Sequence, residues 1–220
     1  MAKFLRFIGI VFISLTAFIT LMGGIGTTCV ALAAEKYGSM VAIAPYKWLY
    51  VIFVLVTTAI GVMGVRAVVL LIKRKANAYN YALLTLVLGV VVGVIHMLVS
   101  RSLRGSSMPV DAVVYTTVLT LIIFLIFRIP PIWAKVDFAN ASKSESNTSG
   151  GTAAIVSGVM ALTIQYTMAP THTISGVNYA DAFHTAMTLS GLGLILLGIG
   201  LLILNFVSLL SQQEARLAER

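Results

Sequence analysis

Three histidines, His96, His172 and His184, are the side chains in this sequence best suited to hold a metal, ligate a haem iron or move a proton near neutral pH. Asp181 and His184 stand three residues apart, on one face of a helix, with Thr188 a turn further along. That face can serve as a proton relay, a metal site or a quinol contact. His172 lies just upstream, so His172, His184 and Asp181 form the candidate metal set. His96 and His184 sit at similar depth in two separate apolar segments, the placement needed for the two axial ligands of a b-type haem. Arg101 or Arg104 would then lie near the propionates. The same pair could instead contact a quinone.

Simpler roles compete with each of these. A carboxylate at a helix N-terminus satisfies free N–H groups and meets the positive end of the dipole, which explains Asp181, and Asp111 equally. Membrane cytochromes of the b class commonly carry repeated histidine pairs, and this chain has no second pair. It also has no His-Glu-x-x-His, no Cys-x-x-Cys and no G-x-S-x-G, and its Asp and Glu total only 7. Ser190 and His184, six residues apart, fall on nearly opposite faces of a helix and make a poor nucleophile–base pair. The run Gly23-Gly24-Ile25-Gly26-Thr27-Thr28 is superficially like a phosphate loop but lacks the lysine, so a close helix contact explains it better. Cys29, the single cysteine, cannot close an intrachain disulfide.

The elements that must position these residues are set by hydropathy. Hydrophobic residues make up 59% of the chain and charged residues 10%, too few charges for a water-soluble surface. The apolar residues gather into runs of about 17 to 28, enough to cross roughly 30 Å of hydrocarbon as helices. Blocks such as Leu121-Ile122-Ile123-Phe124-Leu125-Ile126-Phe127 do not alternate as barrel strands would. The sequence therefore predicts an all-α integral membrane protein, a single polytopic domain of about six transmembrane helices. The expected spans are 7–30, 48–72, 78–100, 112–133, 152–169 and 183–210, with a flexible Ser-, Gly- and Asn-rich linker at 140–151. Lys3 and Arg6 before an apolar run resemble a signal peptide, but the run to about Val30 exceeds the usual core of about 7 to 15 residues, so a retained first span is expected.

Lys3, Arg6, Arg66, Lys73, Arg74, Lys75, Arg128, Lys135, Lys143, Arg216 and Arg220 fall on one side of this layout. Only Lys36, Lys47, Arg101 and Arg104 fall on the other. The richer side, which holds both termini, is predicted to be cytoplasmic, in the cell (plasma or inner) membrane. On that side the glycosylation-type triplets at Asn140 and Asn147 would stay unmodified. Arg66 and Arg128 lie near helix ends and can snorkel to headgroups. The net charge of +8 is explained by these anchors, and no nucleic-acid partner is expected.

Small residues at four-residue spacing, Thr85, Gly89 and Gly93 in the third span and Ala182, Ala186 and Ser190 in the sixth, predict close helix packing within the chain or against another subunit. The expected function is a polytopic subunit that scaffolds or anchors a larger membrane complex, its partners being the lipid bilayer and other membrane subunits or itself. One alternative is a redox (electron transport) component with histidines holding haem or contacting quinol. The other is a small transporter or channel with a polar path through Thr85, Ser157, Gln165 and Asp181. No internal repeat supports the transporter reading.

Overall fold

The computed structural model describes residues 2–136, 138, 143–174, 176–178, 181 and 183–218, with side chains described throughout except at 2, 39, 143, 165, 169–172, 174, 177, 215, 216 and 218. Hydrocarbon offers the backbone no hydrogen-bond partner, so apolar runs must close their own bonds as helices. They do so as α1 (Ala2–Ala33), α2 (Lys47–Ile72), α3 (Ala78–Arg104), α4 (Val110–Phe127), α5 (Pro130–Val136), α6 (Lys143–His172) and α7 (His184–Ala218). Two 3₁₀ pieces, Ala34–Lys36 and Gly38–Tyr46, join α1 to α2. A two-residue ladder pairs β1 (Thr173–Ile174) with β2 (Val177–Asn178) between α6 and α7. Among the described residues, five stretches are long and apolar enough to cross a membrane: Lys3–Lys36, Met40–Ile72, Ala78–Arg104, Val110–Phe127 and His184–Glu214. The chain is a helical, membrane-embedded protein.

The fifth expected span, 152–169, lies within α6, which is not among those five. Its 30 residues measure roughly 45 Å, but the first turns are polar. The expected linker at 140–151 is helical from Lys143 onward, and Asn140 lies outside the described residues. Glu145 explains the helix start. It sits in the first turn at the positive end of the dipole, 2.6 Å from Arg6 Nη2 and 3.6 Å from Lys3 Nζ on α1. Arg6 also donates to the Val136 carbonyl at 3.1 Å, so one guanidinium ties α5 and α6 to α1. The fourth expected span, 112–133, breaks in two. Pro130 and Pro131 lack N–H groups to continue α4 but are well placed in the first turn of α5.

Consecutive long helices run antiparallel, and both described ends of the chain lie at the same end of the bundle. There, Ile10, Ile13, Leu71, Leu86, Phe124 and Phe127 form a buried core joined by Tyr79, which donates to the Phe124 carbonyl at 2.5 Å. Arg66 lies over the Tyr81 ring and Arg128 over Tyr79 and Trp133, at 5.2 to 5.3 Å, so aromatic rings at this end hold both arginines. A second core, with Ala31, Ala34, Ile43, Tyr50 and Phe53, closes the opposite end. Gly105 ends α3 in the left-handed conformation (φ 71°), its N–H bonded to the Arg101 carbonyl at 2.9 Å.

Glycines set the closest approaches. A Cβ on Gly61 would lie 2.7 Å from Leu21 and one on Gly64 2.8 Å from Ala17, so α1 and α2 pack nearly backbone to backbone. Gly89 and Gly93 face α4, where a Cβ would meet Thr117 at 3.1 Å and Val114 at 3.0 Å. In the α6–α7 hairpin, Gly151 opposes Gly198 and Gly158 opposes Gly191. A Cβ at Gly198 would lie 2.5 Å from the Gly151 carbonyl oxygen, and one at Gly158 would lie 2.6 Å from that of Gly191. The small residues expected to pack from this helix do not form the contact with α6. Ala186 and Ser190 are exposed, and Ala182 lies outside the described residues. At about 100° per residue, Gly191 and Gly198 form a different stripe from Ala186 and Ser190.

Candidate functional site

Between α1–α4 and the α6–α7 hairpin lies a cavity of about 450 Å³, within the roughly 300 to 1,000 Å³ of typical ligand pockets. Its wall is mostly apolar, with Phe18, Ile19, Met22, Ile60, Val92 and Val113 from the bundle and Met160, Ile164, Phe183 and Met187 from the hairpin. Four of its threonines add little polarity. Thr27, Thr117, Thr163 and Thr167 each donate to a carbonyl of their own helix.

Thr20 and Thr57 add two further hydroxyls, and the ionisable side chains of the wall cluster toward one end. Gly89, Val92, Gly93, His96, Ser100 and Arg104 line the cavity from one face of α3, at the three- and four-residue steps that keep side chains in register. Tyr50 and Phe53, three residues apart on antiparallel α2, face this row. Phe53 stacks on His96 (centroids 4.2 Å, planes 13° apart), Tyr50 meets its edge at 5.4 Å, and the Tyr50 and Ser100 hydroxyls share a hydrogen bond of 2.8 Å. His96 is only 4% exposed, and its Nε2 is buried with no hydrogen-bond partner. A buried polar group without a partner costs about 1 to 3 kcal/mol, so it marks either strain or a place for a missing partner.

Arg104, half-buried, lies two turns beyond His96 on the same face. Its guanidinium is within electrostatic reach of His96, Tyr50 and Asp111. It donates to the Met108 carbonyl, and among the described residues no carboxylate pairs with it. The nearby Asp111 pairs with Arg101 at 3.3 Å, and Arg101 also donates to Ser107 at 2.7 Å. Asp111 sits in the first turn of α4, at the positive end of its dipole, with Oδ2 paired to Arg101 and Oδ1 buried without a partner. Cys29 also lines the cavity.

The histidines are not gathered together. His184 is exposed at the start of α7 and is not part of the cavity wall, which has Phe183 and Met187 on either side of it in sequence. His96 and His184 therefore do not face one another as an axial pair. Asp181 is exposed and accepts a hydrogen bond from Asn178 at 3.2 Å. His172 ends α6, its side chain outside the described residues, and no group of three or more metal-ligating side chains occurs among the described residues. The polar path of the transporter reading is likewise dispersed. Thr85 is buried and bonded to the Tyr81 carbonyl, Ser157 is buried on α6, and the Gln165 side chain lies outside the described residues.

Sequence reasoning missed Tyr50, Phe53 and Ser100, because which residues of α2 face α3 depends on the rotation of both helices. It also passed over Gly151, Gly158, Gly191 and Gly198, although the seven-residue spacing in both helices was a readable signal. Compared with protein-family models, with curated proteins and with solved structures, the chain matches none.

Proposed function

We propose that this protein takes a lipid-soluble small molecule from the bilayer and holds it between the four-helix bundle and the α6–α7 hairpin. One observation carries the reading: a cavity of about 450 Å³ combines a largely apolar wall with one buried imidazole nitrogen that has no partner. A largely apolar pocket with a few convergent polar groups binds amphiphiles by burying the apolar body and fixing the head. A quinol hydroxyl could donate to His96 Nε2, or a quinone carbonyl could accept from its N–H. A b-type haem asks for a second axial ligand, and His184, the partner expected from the sequence, is not in the wall. In the membrane, α6 is carried across beside α7, giving six crossings. The lysine- and arginine-rich end with both termini faces the cytoplasm of a cell (plasma or inner) membrane.

Native mass spectrometry of the purified protein tests the reading. Gly26 lines the cavity, and a Cβ there would meet nothing within 4 Å, so Gly26→Phe projects a ring into the space. The wild type should carry one small amphiphile per chain and the variant should carry none. Equal loading of both would defeat the proposal.

A second reading, the scaffold or anchor subunit, is favoured by α7. It packs on α6 yet exposes Leu189, Leu196, Leu204 and Phe206, and a Cβ at Gly193 or Gly200 would also meet nothing within 4 Å. This reading expects another membrane subunit, or a second copy, to remain attached in mild detergent. A lone monomer there would count against it.

A further inference from the structure

We infer that the ligand is a single-chain anionic amphiphile, its carboxylate or phosphate held by Arg104 and His96 and its chain running along α3 toward Gly89. The inference rests on the cavity reading above and adds the charge and shape of the ligand. The charge follows from Arg104. Arg104 makes no direct ion pair among the described residues, and Asp111, which is paired with Arg101, acts on it only from a distance, so its half-buried guanidinium has room for a closer anion. Asp111 spends Oδ2 on Arg101, its Oδ1 being buried without a partner, and Glu35 pairs with Lys47. Arg104 spends one described bond on the Met108 carbonyl, and the remaining N–H groups of its planar fork match a carboxylate or phosphate.

The second donor we assign is His96, whose buried, unpartnered Nε2 lies on the same face of α3 and within electrostatic reach of Arg104. A neutral quinone would satisfy His96 but would leave Arg104 without a direct anionic partner. The shape follows from the wall. From Arg104 to Gly89 the lining face of α3 runs 15 residues, about 22 Å, and beyond His96 the wall turns apolar with Val92, Ile60, Phe18 and Met22. A volume in the lower half of the usual ligand range suits one chain rather than two.

The test is equilibrium binding to the full-length protein in detergent. Four probes are used: palmitate, 1-palmitoyl lysophosphatidate, hexadecanol as a neutral chain of equal length, and decylubiquinone. Slower maleimide alkylation of Cys29, which lines the cavity, serves as a second readout of occupancy. An anionic probe should bind at least about tenfold more tightly than hexadecanol, the worth of a charge-assisted hydrogen bond. Arg104→Gln should abolish that preference and Arg104→Lys should keep most of it, with thermal melting confirming that both variants fold. Whichever anionic probe binds more tightly identifies the headgroup as carboxylate or phosphate.

Equal binding of hexadecanol and palmitate by the wild type, or an Arg104→Gln variant within about twofold of the wild type, would overturn the inference. Tight decylubiquinone binding that depends on His96 but not on Arg104 would overturn it too, while leaving the cavity reading in place. If Gly26→Phe leaves every probe bound as in the wild type, the cavity reading beneath it fails instead.

Discussion

His96 illustrates how a single residue divides between stability and function. Its ring is well packed, stacked on Phe53 and edge-on to Tyr50, yet its Nε2 is buried without a partner. If that atom is kept for a ligand, the empty protein bears the penalty. His96→Phe should then raise the thermal stability of the ligand-free protein, by about 1 kcal/mol on the usual worth of an unmade hydrogen bond, while lowering ligand retention. Denaturation followed by tryptophan fluorescence, beside a binding assay, checks both halves; a destabilised variant that still binds would mean that the nitrogen has a structural role. The contrast with Thr16 is useful. Thr120 donates its hydroxyl proton to the Thr116 carbonyl, so Thr16 is the donor in the buried 2.7 Å bond that joins α1 to α4. His96 could be picked out from the sequence because few residue types titrate near neutrality. That it lies apart from His184 could not, because depth along a helix says nothing about which neighbour a side chain faces.

Among the elements, the α6–α7 hairpin rests on glycine. Gly151, Gly158, Gly191 and Gly198 bring the backbones so close that a side chain would overlap a carbonyl, whereas at Gly193 and Gly200 a Cβ would be unopposed. The Asn205–Thr148 bond of 3.0 Å reports the same register. Gly198→Val should therefore loosen the hairpin by about 1 to 3 kcal/mol, the usual cost of overpacking, and Gly200→Val should not. Disulfide formation between cysteines at 148 and 205, in a Cys29→Ser background, should fall sharply in the first variant and stay unchanged in the second. Equal yields would mean that another contact sets the register. Span positions were largely readable from hydropathy. The exceptions lie where local chemistry overrides it: Pro130 and Pro131 restart the chain as α5, and Glu145 begins a helix inside a stretch whose composition reads as linker. Its pairing with Lys3 and Arg6, distant in sequence, is invisible until the bundle is assembled.

For the whole molecule, the antiparallel succession of helices puts the cavity's polar cluster at the end opposite the termini. Single cysteines at 75 and 211 should therefore react with an impermeant maleimide only after permeabilisation, and one at 106 should react on intact cells. Labelling of 106 and 211 from the same side would refute the six-crossing topology. The all-helical, membrane-embedded class was legible from composition and run length alone. The cavity was not, because an internal space arises from the tilt and separation of helices, which no stretch of sequence encodes locally. The most direct test is an experimental density map of the protein in lipid nanodiscs. We predict one elongated feature between α3 and the α6–α7 hairpin, its head against Arg104 and His96. A cavity closed by α6 moving onto the bundle, or filled only by ordered water, would contradict the account.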